Sequence, residues 1–137
     1  MGEALAAMAS VTLDPYLLLL IFFTTVLGVI IGVLPGLGAT TGAALLLPFT
    51  LTMEPIHAIT VLTTIYVSAT FAGSITAILI NTPGTPAAAA TTFDGYPLAQ
   101  KGEAGRALGI AVVASTIGGI FSVIILCGAA PLLARVA

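Results

Sequence analysis

Residues 79–92 read LINTPGTPAAAATT and place a helix-breaking hexad, Asn81 to Pro86, inside a long apolar stretch. In the hydrocarbon core of a membrane, backbone leaves helical geometry only where it is buried in protein or lines a polar cavity. The two prolines have no N–H group, so the carbonyls of Leu79 and Thr82 lose their helical partners. The hexad therefore predicts a break at membrane depth, which is either a structural kink or a binding site.

The composition is that of an integral membrane protein. Of the 137 residues, 59% are hydrophobic and 6% are charged, and the mean hydropathy is +1.24. Soluble domains carry about 25% charged residues. The net charge of −2 and the lack of a basic cluster argue against a nucleic-acid partner. One cysteine and one histidine, with scattered carboxylates, provide no catalytic or metal-binding constellation, so neither an enzyme nor a cofactor is expected.

Three apolar regions follow from the positions of the charges. The first two are too long for one simple span, and each contains a Pro-Gly interruption. We predict an all-α membrane protein within residues 1–137, with full spans at about 16–34, 56–80 and 106–133. Broken or re-entrant elements are expected at 35–48 and 81–93, interrupted at Pro35–Gly38 and Asn81–Pro86.

The polar segment from Asp94 to Arg106 is predicted to be an aqueous loop that opens with a turn at 94–97. Lys101 and Arg106 favour the cytoplasmic side for this loop, whereas Arg135 argues against it. The N-terminal segment lacks the basic start of a secretory signal, so the first apolar segment is expected to be an uncleaved span.

A second Pro-Gly break lies in residues 34–42, LPGLGATTG. Its small residues favour either tight helix packing or a hairpin tip that exposes Gly36, Gly38, Thr40 and Thr41 to a ligand. Just before it, Gly28 and Gly32 are four residues apart, which allows close helix contact.

The chemistry of the hexad suits both an anion and a cation. Asn81, Thr82, Gly84 and Thr85 supply polar groups, and Thr85 followed by Pro86 is a good start for a new helix. The positive end of that helix would face the break and favour an anion. The freed carbonyls of Leu79 and Thr82 are oxygen ligands for a hard cation, for which we hypothesise sodium. No span contains Asp or Glu, the usual proton relay.

Five stretches together resemble the large permease subunit of the tripartite tricarboxylate transporters, the TctA family. They are GVIIGVLPGLG (28–38), ALLLPF (44–49), INTPGTP (80–86), ATTFDGYP (90–97) and KGEAGRALG (101–109). The resemblance implies a multi-pass permease of the bacterial inner membrane that takes up tricarboxylates or related carboxylates. It also implies an ion gradient as the driving force, and two partners: a small membrane subunit and a periplasmic solute-binding protein.

Family permeases are several times longer than this chain. The chain is therefore expected to be an N-terminal portion, or one part of a split permease, that requires the remaining part for transport. The alternative is a membrane protein that does not transport and only packs or assembles with partners, its two breaks being structural, or a pseudogene-like remnant of a permease.

Overall fold

The computed structural model describes residues 14–133, and side chains within 14–129. The predicted features of the segment before Asp14, and Arg135, lie outside the described residues. Within 14–133 the chain contains helices and no strand, which confirms the all-α fold. The elements are α1 (Pro15–Val33), α2 (Ala39–Thr50), α3 (Pro55–Ile80), a 3₁₀ turn (Pro86–Ala89), α4 (Thr91–Leu98), a π-helical turn (Ala99–Glu103) and α5 (Ala104–Leu133).

Helices α1 and α3 lie side by side and run in the same direction. Near their starts, the rings of Tyr16 and His57 meet edge to face with centroids 5.1 Å apart. Further along, a Cβ on Gly28 would overlap Ser68, and one on Gly32 would overlap the backbone of Ala69. The predicted close contact through this glycine pair is confirmed, because no larger side chain fits between the two backbones.

The first break reverses the chain. Helix α1 ends at Val33, Gly36 adopts a φ of 93° that favours glycine, and α2 starts at Ala39. Helix α2 then runs back along α1: Gly42 lies against Ile31, and Phe49 shares an apolar cleft with Tyr16. With 12 residues, α2 is about 18 Å long and does not cross a bilayer alone.

The second break turns the chain back along α3. Asn81 adopts the left-handed conformation (φ 56°) that ends α3, and its N–H group donates to the carbonyl of Thr76. The chain then descends beside the last two turns of α3, where the Gly84 N–H donates to the carbonyl of Gly73 at 3.3 Å. Both breaks therefore occur where the sequence predicts them.

The predicted turn at 94–97 is wrong, because these residues belong to α4. Gly95 packs so closely on α3 that a Cβ would come within 2.7 Å of Ile78, and this contact fixes the segment as a helix. Tertiary packing thus overrides the turn preference of Asp-Gly and Pro. The chain instead bends at Gly102, whose φ is 81°.

Three helical stretches are long and apolar enough to cross a membrane: Pro15–Val33, Pro55–Ile80 and Thr91–Ala129. Helix α5 contacts α3 and α4 near its start, where the buried Ala107 lines one cleft together with Ile78 and Leu98. Beyond that point its described side chains are almost all exposed apolar groups. Such a surface suits lipid or other membrane helices.

Candidate functional site

The two helix breaks, about 45 residues apart in the sequence, meet in space. A Cβ on Gly38 in the first break would lie 3.7 Å from the carbonyl oxygen of Gly84 in the second. Gly84 itself is buried, and a Cβ there would overlap the carbonyl of Gly32 and come within 2.9 Å of the Cα of Gly73. Glycine is therefore required for the second break to lie between α1 and α3.

A cavity of about 260 Å³, here named the junction cavity, opens where the breaks meet. It is lined by the start of α2, one face of α3 and the end of the second break: Gly38, Ala39, Thr40, Tyr66, Thr70, Thr85, Pro86 and Ala87. All of its polar side chains carry hydroxyl groups, and none of the described residues in its wall is charged.

Thr85 is the most unusual of these hydroxyl groups. It is the N-cap residue of the 3₁₀ turn with Pro86 at the first position, as predicted, but its side chain makes no cap hydrogen bond. Thr85 is 6% exposed, and its Oγ1 has no hydrogen-bond partner among the described residues. A buried hydroxyl without a partner costs about 1–3 kcal/mol of stability.

The start of α2 provides a second set of donors at the same place. Its N-cap residue is Gly38, so no side chain of the described part of the chain caps the first turn. The first N–H groups of a helix have no helical partner, and they lie at the positive end of its dipole. They lie at the edge of a junction cavity whose accessible lining is otherwise mostly apolar.

The predicted site residues fall into two groups. Gly38, Thr40, Thr85 and Pro86 line the junction cavity, and Gly84 is buried beside it. The others lie outside the cavity lining: Pro35, Gly36, Thr41, Asn81 and Thr82 are exposed, and Pro83 is half-buried.

Sequence reasoning missed Tyr66 and Thr70. They lie one helical turn apart on α3 and share a face with Gly73, at spacings of four and seven residues. A polar stripe at this spacing in an apolar helix is the signal that could have found them.

The proposed cation ligands lie at the far end of the second break. Leu79 is in the last turn of α3, where carbonyls lack helical partners and the helix dipole is negative. Thr82 lies three residues further along. Its N–H group donates to the carbonyl of Thr76, and its hydroxyl group donates to the carbonyl of Ile80 at 3.2 Å. Carbonyl oxygens at a helix C-terminus fit a hard cation. Within the described residues no cluster of three or more His, Cys, Asp or Glu could hold a metal ion.

Comparisons with known proteins identify relatives of the chain. The family model described as tripartite tricarboxylate transporter TctA family matches residues 18–137. An uncharacterized 52.8 kDa protein in the TAR-I ttuC′ 3′ region of Agrobacterium vitis is 45% identical over 125 residues. That match covers 91% of this chain, which spans about a quarter (25%) of the relative's length. No solved structure matches the chain significantly.

Proposed function

The chain belongs to the tripartite tricarboxylate transporter TctA family, and we propose that it forms half of the carboxylate-binding site of a secondary-transport permease. The observation that carries this proposal is the meeting of two helix breaks around the junction cavity. Paired broken helices at membrane depth are how secondary transporters build substrate and ion sites. The uncapped start of α2 supplies donors for an anion, and Thr40 lines the cavity beside it.

The proposed site extends along both breaks. Its first wall comprises Gly36, Gly38, Thr40 and Thr41 after Pro35, and its second comprises Asn81, Thr82, Gly84 and Thr85 around Pro83 and Pro86. Gly38, Thr40 and Thr85 would contact the substrate first because they line the cavity. The exposed residues would face the rest of the permease, which contributes the other half of the site.

We further propose that transport is coupled to sodium. The coupling ion would bind the backbone carbonyls of Leu79 and Thr82, at the negative end of α3. Helices α1, α2, α3 and α5 contain no Asp or Glu in their described residues, so these helices offer no acidic proton relay.

The remaining components follow from the family as proposals. The permease would lie in the bacterial inner membrane and work with a small membrane subunit. A periplasmic solute-binding protein would deliver the carboxylate. The exposed apolar surface of α5 beyond its first turns is consistent with contacts to lipid and to the rest of the permease.

The test introduces a side-chain carboxylate at the position where the carboxylate of the substrate is proposed to bind. In Gly38→Asp the side chain would cap α2 and occupy its first N–H groups. The matched control, Gly38→Ala, adds a methyl group that meets only ordinary van der Waals contact with Gly84. Uptake of radiolabelled citrate is measured in membrane vesicles that contain the complete transporter.

We expect Gly38→Asp to abolish citrate uptake at unchanged protein level, and Gly38→Ala to keep it. Equal uptake by both variants would refute the assignment of the site. An absence of carboxylate uptake by the wild-type transporter would refute the proposed activity itself.

A further inference from the structure

A groove between α1 and α3 lies on the flank of this helix pair that faces away from α2. It has a volume of about 530 Å³ and is here named the outer groove. Thr25 and Val29 of α1 line it together with five residues of α3, among them Thr63, Thr64, Val67 and Ser68. Thr64 precedes Tyr66 by two residues, which places it about 160° around α3 from the junction cavity. No described residue of α2 or of the two breaks lines the outer groove.

Three threonines of the outer groove have hydroxyl protons that their own helices leave unused. All other threonines in the described parts of α1, α3 and α5 donate to a carbonyl three or four residues earlier: Thr24, Thr60, Thr70, Thr76 and Thr116. Within residues 14–129, the hydroxyls of Thr25, Thr63 and Thr64 make no hydrogen bond. The exceptions therefore all lie in one groove, and each can donate to a group outside the described residues.

The depth of these hydroxyls favours a protein partner over lipid. Thr25 lies at the middle of α1, one helical turn before Gly28, where α1 and α3 are in close contact. Acyl chains at this depth offer no hydrogen-bond acceptor. A neighbouring membrane helix does, because its Ser, Thr, Asn or Gln side chains form hydrogen bonds between helices. Val29 and Val67 provide the apolar contact that such a helix also needs.

We propose that the outer groove binds a transmembrane helix from the rest of the permease, and that a polar side chain of this helix accepts hydrogen bonds from Thr25 and Thr64. The chain spans about a quarter (25%) of the length of the Agrobacterium vitis relative, so most of such a permease lies outside the described residues. The inference goes beyond the proposed function, because it depends on a longer permease and not on which substrate is carried.

The first experiment identifies what occupies the outer groove. The photoreactive amino acid p-benzoylphenylalanine replaces Val67, which is 61% exposed, in the complete permease in native membranes. After irradiation, mass spectrometry of proteolytic fragments should show position 67 joined to an apolar segment of the permease outside residues 1–137. Adducts with lipid, with another subunit or with a second copy of residues 1–137, and none with such a segment, would overturn the inference.

The second experiment tests the hydrogen bonds in the complete permease, purified in detergent. Thr25→Val and Thr64→Val each remove a hydroxyl with little change in shape. Combined in one variant, they should lower the melting temperature by about 1–2 °C, because two hydrogen bonds between helices are lost. Thr60→Val is the matched control on the same face of α3, since the Thr60 hydroxyl already donates to the carbonyl of Ile56 at 2.7 Å. It should not lower the melting temperature.

A double variant that melts no lower than Thr60→Val would also overturn the inference, because the two hydroxyls would then face lipid. Carboxylate uptake enters neither experiment. A transporter that takes up no carboxylate would therefore refute the proposed function and leave this inference standing, whereas an outer groove without a permease helix would refute this inference alone.

Discussion

The hydrogen bonds of the buried hydroxyl groups distinguish the residues inside regular helices from the residue in the second break. The buried polar residues are Thr24, Thr50, Ser68, Thr76 and Thr85. The first four donate to a carbonyl three or four residues earlier in their own helix, which satisfies each proton locally. Thr85 lies within the second break, so no helical turn precedes it. The helix break itself therefore creates the unpaired donor.

This difference predicts opposite effects of the same substitution. Thr85→Val removes a buried hydroxyl that lacks a described partner, so the free energy of unfolding should rise by about 1–3 kcal/mol. Thr50→Val is the control: Thr50 is 4% exposed, and its hydroxyl donates to the Leu47 carbonyl at 2.8 Å. It should not stabilise the protein. Thermal unfolding in detergent without substrate measures both, and a lower melting temperature for Thr85→Val would contradict the argument.

At the scale of elements, unequal helix lengths make room for the second break. Helices α1 and α3 start level, but α1 has 19 residues and α3 has 26. The last seven residues of α3 therefore project about 10 Å beyond the end of α1. The hexad folds into this space, where Gly84 lies on the last turn of α1. Close packing of α1 on α3 sets the depth of the site.

The packing of α1 on α3 is tested at Gly32. In Gly32→Ala the added methyl would overlap the backbone of Ala69, which cannot move without parting the helices. We expect a loss of about 1–3 kcal/mol in the free energy of unfolding, measured by thermal unfolding in detergent. Gly118→Ala in α5 is the matched control, since nothing lies within 4 Å of its added methyl group. Equal stability of the two variants would show that the contact is not tight.

The sequence predicts elements that local chemistry determines and misses what packing determines. Pro and Gly in the two breaks favour the ends of α1 and α3 through local backbone chemistry, so these positions could be predicted from the sequence. The helix at 91–98 could not, because the contact of Gly95 with Ile78 stabilises it. Tyr66 was missed because its place beside the two breaks depends on how α3 packs, and its spacing from Thr70 was the one signal that the sequence offered.

At the scale of the whole molecule, the hexad starts at the end of α3 and passes the start of α2, and these two helix ends have opposite polarity. The start of α2, at the junction cavity, is positive, and the end of α3, at Leu79, is negative. Gly84 bonds to Gly73, so the two places lie about 10 Å apart along α3. A cation at Leu79 and Thr82 would order the start of the hexad, and the same hexad carries Thr85. Cation and carboxylate binding would therefore favour one another.

This coupling predicts sodium-dependent uptake. In vesicles with the complete transporter, replacing external sodium by potassium should abolish citrate uptake, while a protonophore should leave it intact as long as the sodium gradient is kept. Pro83→Ala restores an N–H group that can bond to the Leu79 carbonyl, so it should raise the sodium concentration for half-maximal uptake. Pro48→Ala, in the exposed part of α2, is the matched control and should leave the sodium concentration for half-maximal uptake unchanged. Uptake that ignores sodium and collapses with the protonophore would refute sodium coupling, because the proton gradient would then be the driving force.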